Sequence, residues 1–153
     1  MSIDQRLAEL GITLPQPAAP VASYVPAVLT GNLLHISGQI SFAEDGSLIT
    51  GRLGENVDLE AGQAAARRCG LMLLAQIKAA VGSLDRVSRV VKLGVFVNSV
   101  GEFTDQPKVA NGASDLMAEV FGEAGRHARS AVGVPTLPLG VAVEVDAIVE
   151  IRD

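Results

Sequence analysis

Four side chains near the end of the chain could do chemistry together: His127, Arg129, Glu144 and Asp146. A guanidinium holds a carboxylate by two parallel hydrogen bonds. A carboxylate can take a proton from a water as general base, and a neutral imidazole can accept one. Two runs carry these groups. The first is Arg126-His127-Ala128-Arg129-Ser130-Ala131-Val132-Gly133-Val134; the second covers residues 141–151. In the second, Val141, Val143, Val145, Ala147, Val149 and Ile151 share one parity, and Ala142, Glu144, Asp146, Ile148 and Glu150 share the other. Alternation over so many residues predicts a strand with one face packed on a core. Pro135 and Pro138 between the runs cannot donate ladder hydrogen bonds, so the chain must break there. The pattern predicts a terminal β-hairpin carrying a guanidinium, an imidazole and two carboxylates. On pattern alone the plainer reading of these charges is a solvated outer face.

The elements that must position this hairpin follow from the rest of the chain. Ile3, Leu7 and Leu10 predict a short amphipathic helix that Gly11 ends. Pro15-Gln16-Pro17-Ala18-Ala19-Pro20 reads as an extended linker. Residues 24–29 and 33–40 read as strands around a tight Gly31-Asn32 turn. Gly38 inside the second suggests a bulge or a close backbone approach. Asp58 is a good N-cap for a long helix over 59–81, which Gly82 stops. A buried strand follows over 86–97. A second helix runs from Pro107 to about Phe121, and Gly122 and Gly125 end it. The order β-β-α-β-α-β-β predicts a two-layer α+β domain, a mixed sheet with two helices on one face. Residues 1–153 read as one domain, with 1–20 an N-terminal extension. The other sheet face has no cover within the chain.

Composition narrows the function classes. Of the 153 residues 48% are hydrophobic, and the mean hydropathy is +0.35. No apolar run approaches the roughly 18 residues of a membrane span, so the surplus points to subunit interfaces. A net charge of −5 and 3% aromatic residues, with no Trp, are poor equipment for gripping nucleic acid. The single Cys69 rules out an internal disulfide and a cysteine metal cluster. His35 and His127 lack ligand-type spacing, so no metal site is expected. No secretory leader pattern opens the chain, and the expected setting is reducing and cytoplasmic.

Three segments in order resemble one family. Leu34-His35-Ile36-Ser37-Gly38-Gln39-Ile40, then Val95-Phe96-Val97 with Phe103, then Arg129-Ser130-Ala131-Val132-Gly133-Val134 with a Leu-Pro turn and Val143-Glu144-Val145-Asp146-Ala147-Ile148, look like the signatures of the Rid family. The family is also called YjgF-type, and its members are often labelled "endoribonuclease L-PSP" or "translation initiation inhibitor". The stretch from Gln106 through Phe121-Gly122-Glu123 to Gly133 resembles a longer-chain branch. The resemblance implies a chorismate-mutase-like fold and a homotrimer whose sheets line a central barrel, with clefts between neighbours. It implies hydrolysis of reactive 2-imino or enamino acids to 2-keto acids and ammonia, with no cofactor and a small carboxylate-bearing ligand.

Site residues carry over from that resemblance position by position. Arg129 matches the arginine that holds the ligand carboxylate, the alternative being an ion pair with Glu144 or Asp146. Glu144 matches the glutamate that orients or polarises the water, the alternative being a partner for an arginine. Asp146 has no matching role and reads as structural. Tyr24 matches a tyrosine that reaches the site from a neighbouring chain, or else simply packs. Ser37 and Gly38 match the Ser-Gly that backs the ligand, where backbone N–H groups could bind an oxyanion; a plain bulge is the alternative. The family's ligand-contacting asparagine has two candidates here, Asn111 by type and Ser114 by spacing. Ala131 stands where many members carry a cysteine, so no thiol mechanism is available there. His127 shares strand parity with Arg129 and is a further candidate, a capping histidine being the plainer one; His35 reads as structural. The other readings are a non-catalytic carboxylate-binding or regulatory protein and, less supported by charge and aromatic content, an endoribonuclease.

Overall fold

In the computed structural model, residues 1–19 and 22–153 are described. Pro20, the last proline of the predicted linker, lies outside the described residues. The order is α1 (Ile3–Glu9), β1 (Ala27–Thr30), β2 (Leu33–Ile40), α2 (Leu59–Val81), β3 (Val87–Asn98), α3 (Gln106–Phe121), β4 (Ala128–Val134) and β5 (Val143–Ile151). Short 3₁₀ turns occupy Leu84–Arg86, Gly122–Gly125 and Pro138–Gly140. The strands form one mixed sheet in the order β1-β2-β5-β3-β4.

Local chemistry sets the helix ends. Asp58 accepts the N–H of Ala61 at 2.8 Å, and Gly82 stops α2 with a φ of 90°. Ser2 and Gln5 cap α1 reciprocally, as a capping box. Pro107 sits in the first turn of α3, where its missing N–H costs nothing. Helices α2 and α3 pack side by side at very close range. A Cβ on Gly112 would collide with the backbone of Gln63, and one on Gly70 would press on Leu116. Both helices cover the sheet face formed by Leu34, Ile36, Leu93, Val95, Val143, Val145, Ala147 and Val149, all buried. The third helix, α1, docks outside them. Leu7 is buried, the Ile3 N–H reaches Asp85 Oδ1 at 2.7 Å, and Arg6 Nε donates to the Glu119 carbonyl at 2.9 Å.

Two expectations fail. The first strand begins at Ala27, not at residue 24, and Tyr24 lies in a bend before it. Pro26 cannot donate to a ladder, although its carbonyl still takes the Ser37 N–H at 2.9 Å. The terminal β-hairpin does not exist. β4 pairs parallel with β3 at the sheet edge, while β5 runs antiparallel between β2 and β3. The reason is burial: β5 carries five buried side chains at alternate positions, whereas most of β4 is exposed. The strand with an unbroken apolar face takes the centre and the more exposed one the edge. The Pro138–Gly140 turn redirects the chain between them, with Leu139 at φ 59° and Gly140 at φ 73°.

The predicted bulge is present. The β2–β5 register slips between Ile36 and Gln39, so Ser37 and Gly38 bow out of the ladder.

Candidate functional site

Strand pairing decides which way Arg129 points. It stands opposite Leu93, which is fully buried under the helices, so Arg129 projects to the helix side of the edge strand. There it meets α3. One guanidinium nitrogen, Nη1, donates to Asn111 Oδ1 at 2.9 Å and to Ser114 Oγ at 3.1 Å. Residues 111 and 114 lie three apart on one helix face, which is why both reach the same nitrogen. His127, just before β4, completes the group. Its Nδ1 lies 2.6 Å from the Gly125 carbonyl, and its Nε2 lies 2.9 Å from Ser114 Oγ. A carbonyl can only accept, so Nδ1 carries the proton and Nε2 accepts from the serine hydroxyl. Burial and the neighbouring Arg129 charge lower the pKa of His127, which keeps the imidazole neutral. Ser114, His127 and Arg129 line a shallow cavity of about 250 Å³. Asn111 and Ser114, the two candidates for one role, both hold the arginine.

Glu144 lies on the other face of the sheet. It stands opposite Phe96, three residues along β3 from Leu93 and therefore of opposite parity. Its carboxylate rests directly on Gly38; a Cβ there would collide with it. That close approach is the reason for glycine at the bulge. Asp146 rests on Gly94 in the same way, one pair of positions along the strand. Burial raises the pKa of Glu144, and the Asp146 charge raises it further. Burial also raises the pKa of Asp146, against smaller lowering effects from the Gly94 N–H and Lys92.

Glu144, Tyr24, Ser37 and Gly38 share a cavity of about 600 Å³. The structure thus brings the sequence-derived residues together in two groups: Tyr24, Ser37, Gly38 and Glu144 in one cavity, and Ser114, His127 and Arg129 in another, with Asn111 bonded to the guanidinium. Ala131 lines neither; it is partly buried against the core. His35 is exposed on the uncovered face. Among the described residues neither Arg129 nor Glu144 has an ion-pair partner. The ion-pair alternative for Arg129 therefore fails within one chain, because Glu144 and Asp146 point away from it. No three His, Cys, Asp or Glu side chains cluster among the described residues. Cys69 is fully buried, donates weakly to the Val143 carbonyl and has its thiol pKa pushed up by burial.

The large cavity also contains Gln39, Gln76, Leu139, Ala18 and Ala19, none of which the sequence pattern singled out. One signal was available. Gln76 is a lone amide in a run of buried apolar helix residues, Leu71 to Ile77, and a buried polar group needs a partner.

Residues 4–151 match the family described as "YjgF/chorismate mutase-like, putative endoribonuclease". The chain belongs to this family. Protein TCP17 of Trypanosoma cruzi is 57% identical over 148 residues, covering 96% of this chain and 92% of that protein. A 2-iminobutanoate/2-iminopropanoate deaminase of Dermatophagoides farinae is 33% identical over 143 residues, covering 92% and 95%. The crystal structure of Atu1372 from Agrobacterium tumefaciens, a protein of unknown function, superposes with a TM-score of 0.91 at 50% identity, over 98% of this chain and 92% of that one. The family thus includes a named imine deaminase. No helix among the described residues is long and apolar enough to cross a membrane.

Proposed function

We propose that the chain is a cofactor-independent deaminase that hydrolyses 2-imino acids, and their enamine tautomers, to 2-keto acids and ammonia. Its site lies at a cleft between copies of the chain in a homotrimer. The carrying observation is the pair of unpartnered charges. Arg129 is oriented by Asn111 and Ser114, and among the described residues no carboxylate pairs with it. Glu144 sits half-buried over a glycine bulge, and among the described residues no cation pairs with it. A ligand with a carboxylate and a water-sensitive C=N bond uses both.

Arg129 holds the ligand carboxylate, fixing the C=N carbon for attack. Glu144 takes a proton from a water as the oxygen bonds to that carbon, and the C=N π pair becomes an amine lone pair. The carboxyl group returns that proton to nitrogen, which gives a carbinolamine; Glu144 then takes the hydroxyl proton and passes it to nitrogen, so that ammonia leaves as the C=O bond closes. Water and imine go in; keto acid and ammonia come out. At the bulge the Ser37 N–H is taken by the Pro26 carbonyl, and Gly38, which has no register partner, offers its N–H to the developing oxygen.

Assembly joins the two halves. Within one chain Arg129 and Glu144 lie on opposite sheet faces, so a single copy cannot supply both to one ligand. The face bearing Glu144 also leaves Val28 and Val132 about half exposed, at 51% and 46%. Such apolar surface supports burial against further copies.

The test is coupled hydrolysis. A pyridoxal-phosphate dehydratase releases 2-aminoacrylate or 2-aminocrotonate, and keto-acid formation is followed with wild type and Arg129→Ala. Acceleration by wild type alone supports the reading. No acceleration by either sinks it, and carboxylate binding without turnover would identify a binding protein instead.

A further inference from the structure

The N-terminal segment reaches the same cavity by its own route. After α1, residues 12–19 run without regular secondary structure alongside α2. Ile12 and Leu14 pack on the core, and Pro15 to Ala18 lie beside Arg68 and Met72. Arg68, Met72 and Gln76 are spaced four apart, so they form one stripe along the helix. At the end of the stripe Gln76 is 3% exposed, and its amide nitrogen donates to the Ala18 carbonyl at 2.8 Å. The same nitrogen lies 3.3 Å from Gln39 Oε1. Gln39 is 6% exposed and donates onward to the Ser37 carbonyl at 2.9 Å. Two buried amides therefore tie the N-terminal segment to the bulge that carries Ser37 and Gly38. Prolines 15 and 17 have no N–H to give a ladder, so this tie holds a segment that cannot join the sheet.

Beyond the tie, Ala18 and Ala19 form a wall of the 600 Å³ cavity, together with Ile40, Phe42, Pro138 and Leu139. The wall is apolar, while the reacting groups sit at the bulge. An apolar wall beside the reacting groups suits a ligand side chain larger than the methyl of a three-carbon imine. The small side chains at 18 and 19 leave that room open.

Resting on the deaminase reading, we infer that residues 12–19, latched by Gln76 through Gln39, form the specificity wall of the site. The wall selects 2-imino acids with a branched or extended apolar side chain over 2-iminopropanoate. Gln76 acts as a positioning residue: it touches the wall and the bulge amide and leaves the reacting atoms to others. No covalent step is added; the wall decides which side chain fits beside the C=N carbon.

The test compares two imines: one released from leucine by an amino-acid oxidase, and 2-iminopropanoate released from serine by a dehydratase. Ala19→Leu fills the wall and should lower the ratio of kcat/KM, leucine-derived over three-carbon, by about tenfold or more, the scale of one or two methylenes in a pocket. Gln76→Met keeps the volume and removes the latch. KM for the leucine-derived imine should rise roughly fivefold, with kcat changed much less. Thermal unfolding of both variants checks that the fold is retained. Equal losses on both imines, or no wild-type preference for the larger one, would overturn the inference while leaving the deaminase reading intact. Calorimetry with 4-methyl-2-oxopentanoate and pyruvate separates the two claims in the other direction. A binding preference for the larger keto acid, lost in Ala19→Leu, with no imine turnover by wild type, would keep the wall and discard the deaminase.

Discussion

The Arg129 cluster and the Glu144 cavity are built by different means. The first is a hydrogen-bond network: an amide and a hydroxyl from α3 hold one guanidinium, and an imidazole at the β4 entry holds the hydroxyl. Its geometry is fixed by donors and acceptors 2.6–3.1 Å apart. The second has almost no side-chain hydrogen bonds at the carboxylate. Its geometry is fixed by absence, a glycine with no Cβ beneath Glu144. Networks fail gradually as members are removed, because the remaining bonds still hold. A steric seat fails at once when it is filled. The two halves should therefore answer mutation differently.

The largest effect tests whether the halves belong to one site. Arg129→Ala and Glu144→Gln should each lose activity by about a hundredfold or more, as expected for a lost carboxylate anchor or a lost general base. Unfolded and refolded together, the two inactive variants should regain about a quarter of wild-type activity. In a randomly mixed closed ring, one site in four pairs an intact Arg129 with an intact Glu144 from the neighbour. No recovery would break the shared-cleft arrangement.

Filling the steric seat comes next. In Gly38→Ala the new methyl meets the end of a flexible side chain, so Glu144 can swing away. Stability should change by less than about 1 kcal/mol, while kcat falls by about a hundredfold, the cost of misplacing a reacting group by an ångström. A large drop in Tm with activity retained would show that the glycine serves the bulge and not the carboxylate.

Thinning the network should do less. Ser114→Ala removes the hydroxyl that accepts from Arg129 and donates to His127. Asn111 still holds the guanidinium, so the loss is one hydrogen bond, about 1 kcal/mol. KM should rise roughly fivefold with kcat little changed, read from steady-state rates. A loss as large as that of Arg129→Ala would mean that the network is not redundant.

This contrast also explains what the sequence could show. The β5 alternation, the Asp58 cap, the Gly82 stop and the bulge at Gly38 are local features, set by residues within a turn or two of each other. They read correctly from pattern. Pairing partners are not local. Two strand-like runs joined by a short proline-containing turn look like a hairpin, yet β5 is drawn to the sheet centre by five side chains needing burial. That single change places Arg129 and Glu144 on opposite faces, a fact no spacing along the chain contains. The residue types around Arg129 were legible; their convergence depended on the parallel β3–β4 register, which aligns Leu93 with Arg129. The N-terminal wall was not legible, because its contacts with Gln76 join positions 58 residues apart.

The smallest effect lies in pH. Burial raises the pKa of Glu144 and of Asp146; the Asp146 charge pushes Glu144 up further, while the Gly94 N–H and Lys92 partly offset the rise at Asp146. A raised carboxyl pKa means that the folded state binds protons more readily than the unfolded one. These two groups therefore contribute against stability at neutral pH, and that cost fades as pH falls through their raised pKa values. Glu144→Gln and Asp146→Asn should each raise Tm slightly at pH 7, and the gain should shrink toward zero near pH 4. Activity should run the other way, because a general base must be ionised: kcat falls as acid protonates Glu144, at a pH above the ordinary glutamate value. The arginine half adds no raised carboxylate: its guanidinium stays charged, and burial and the Arg129 charge lower the pKa of His127 from its ordinary value. An acid limb in the rate profile that persists unchanged in Asp146→Asn would assign it to Glu144 alone. A limb that shifts down in that variant would show the two carboxylates titrating together, the Asp146 charge having held Glu144 up.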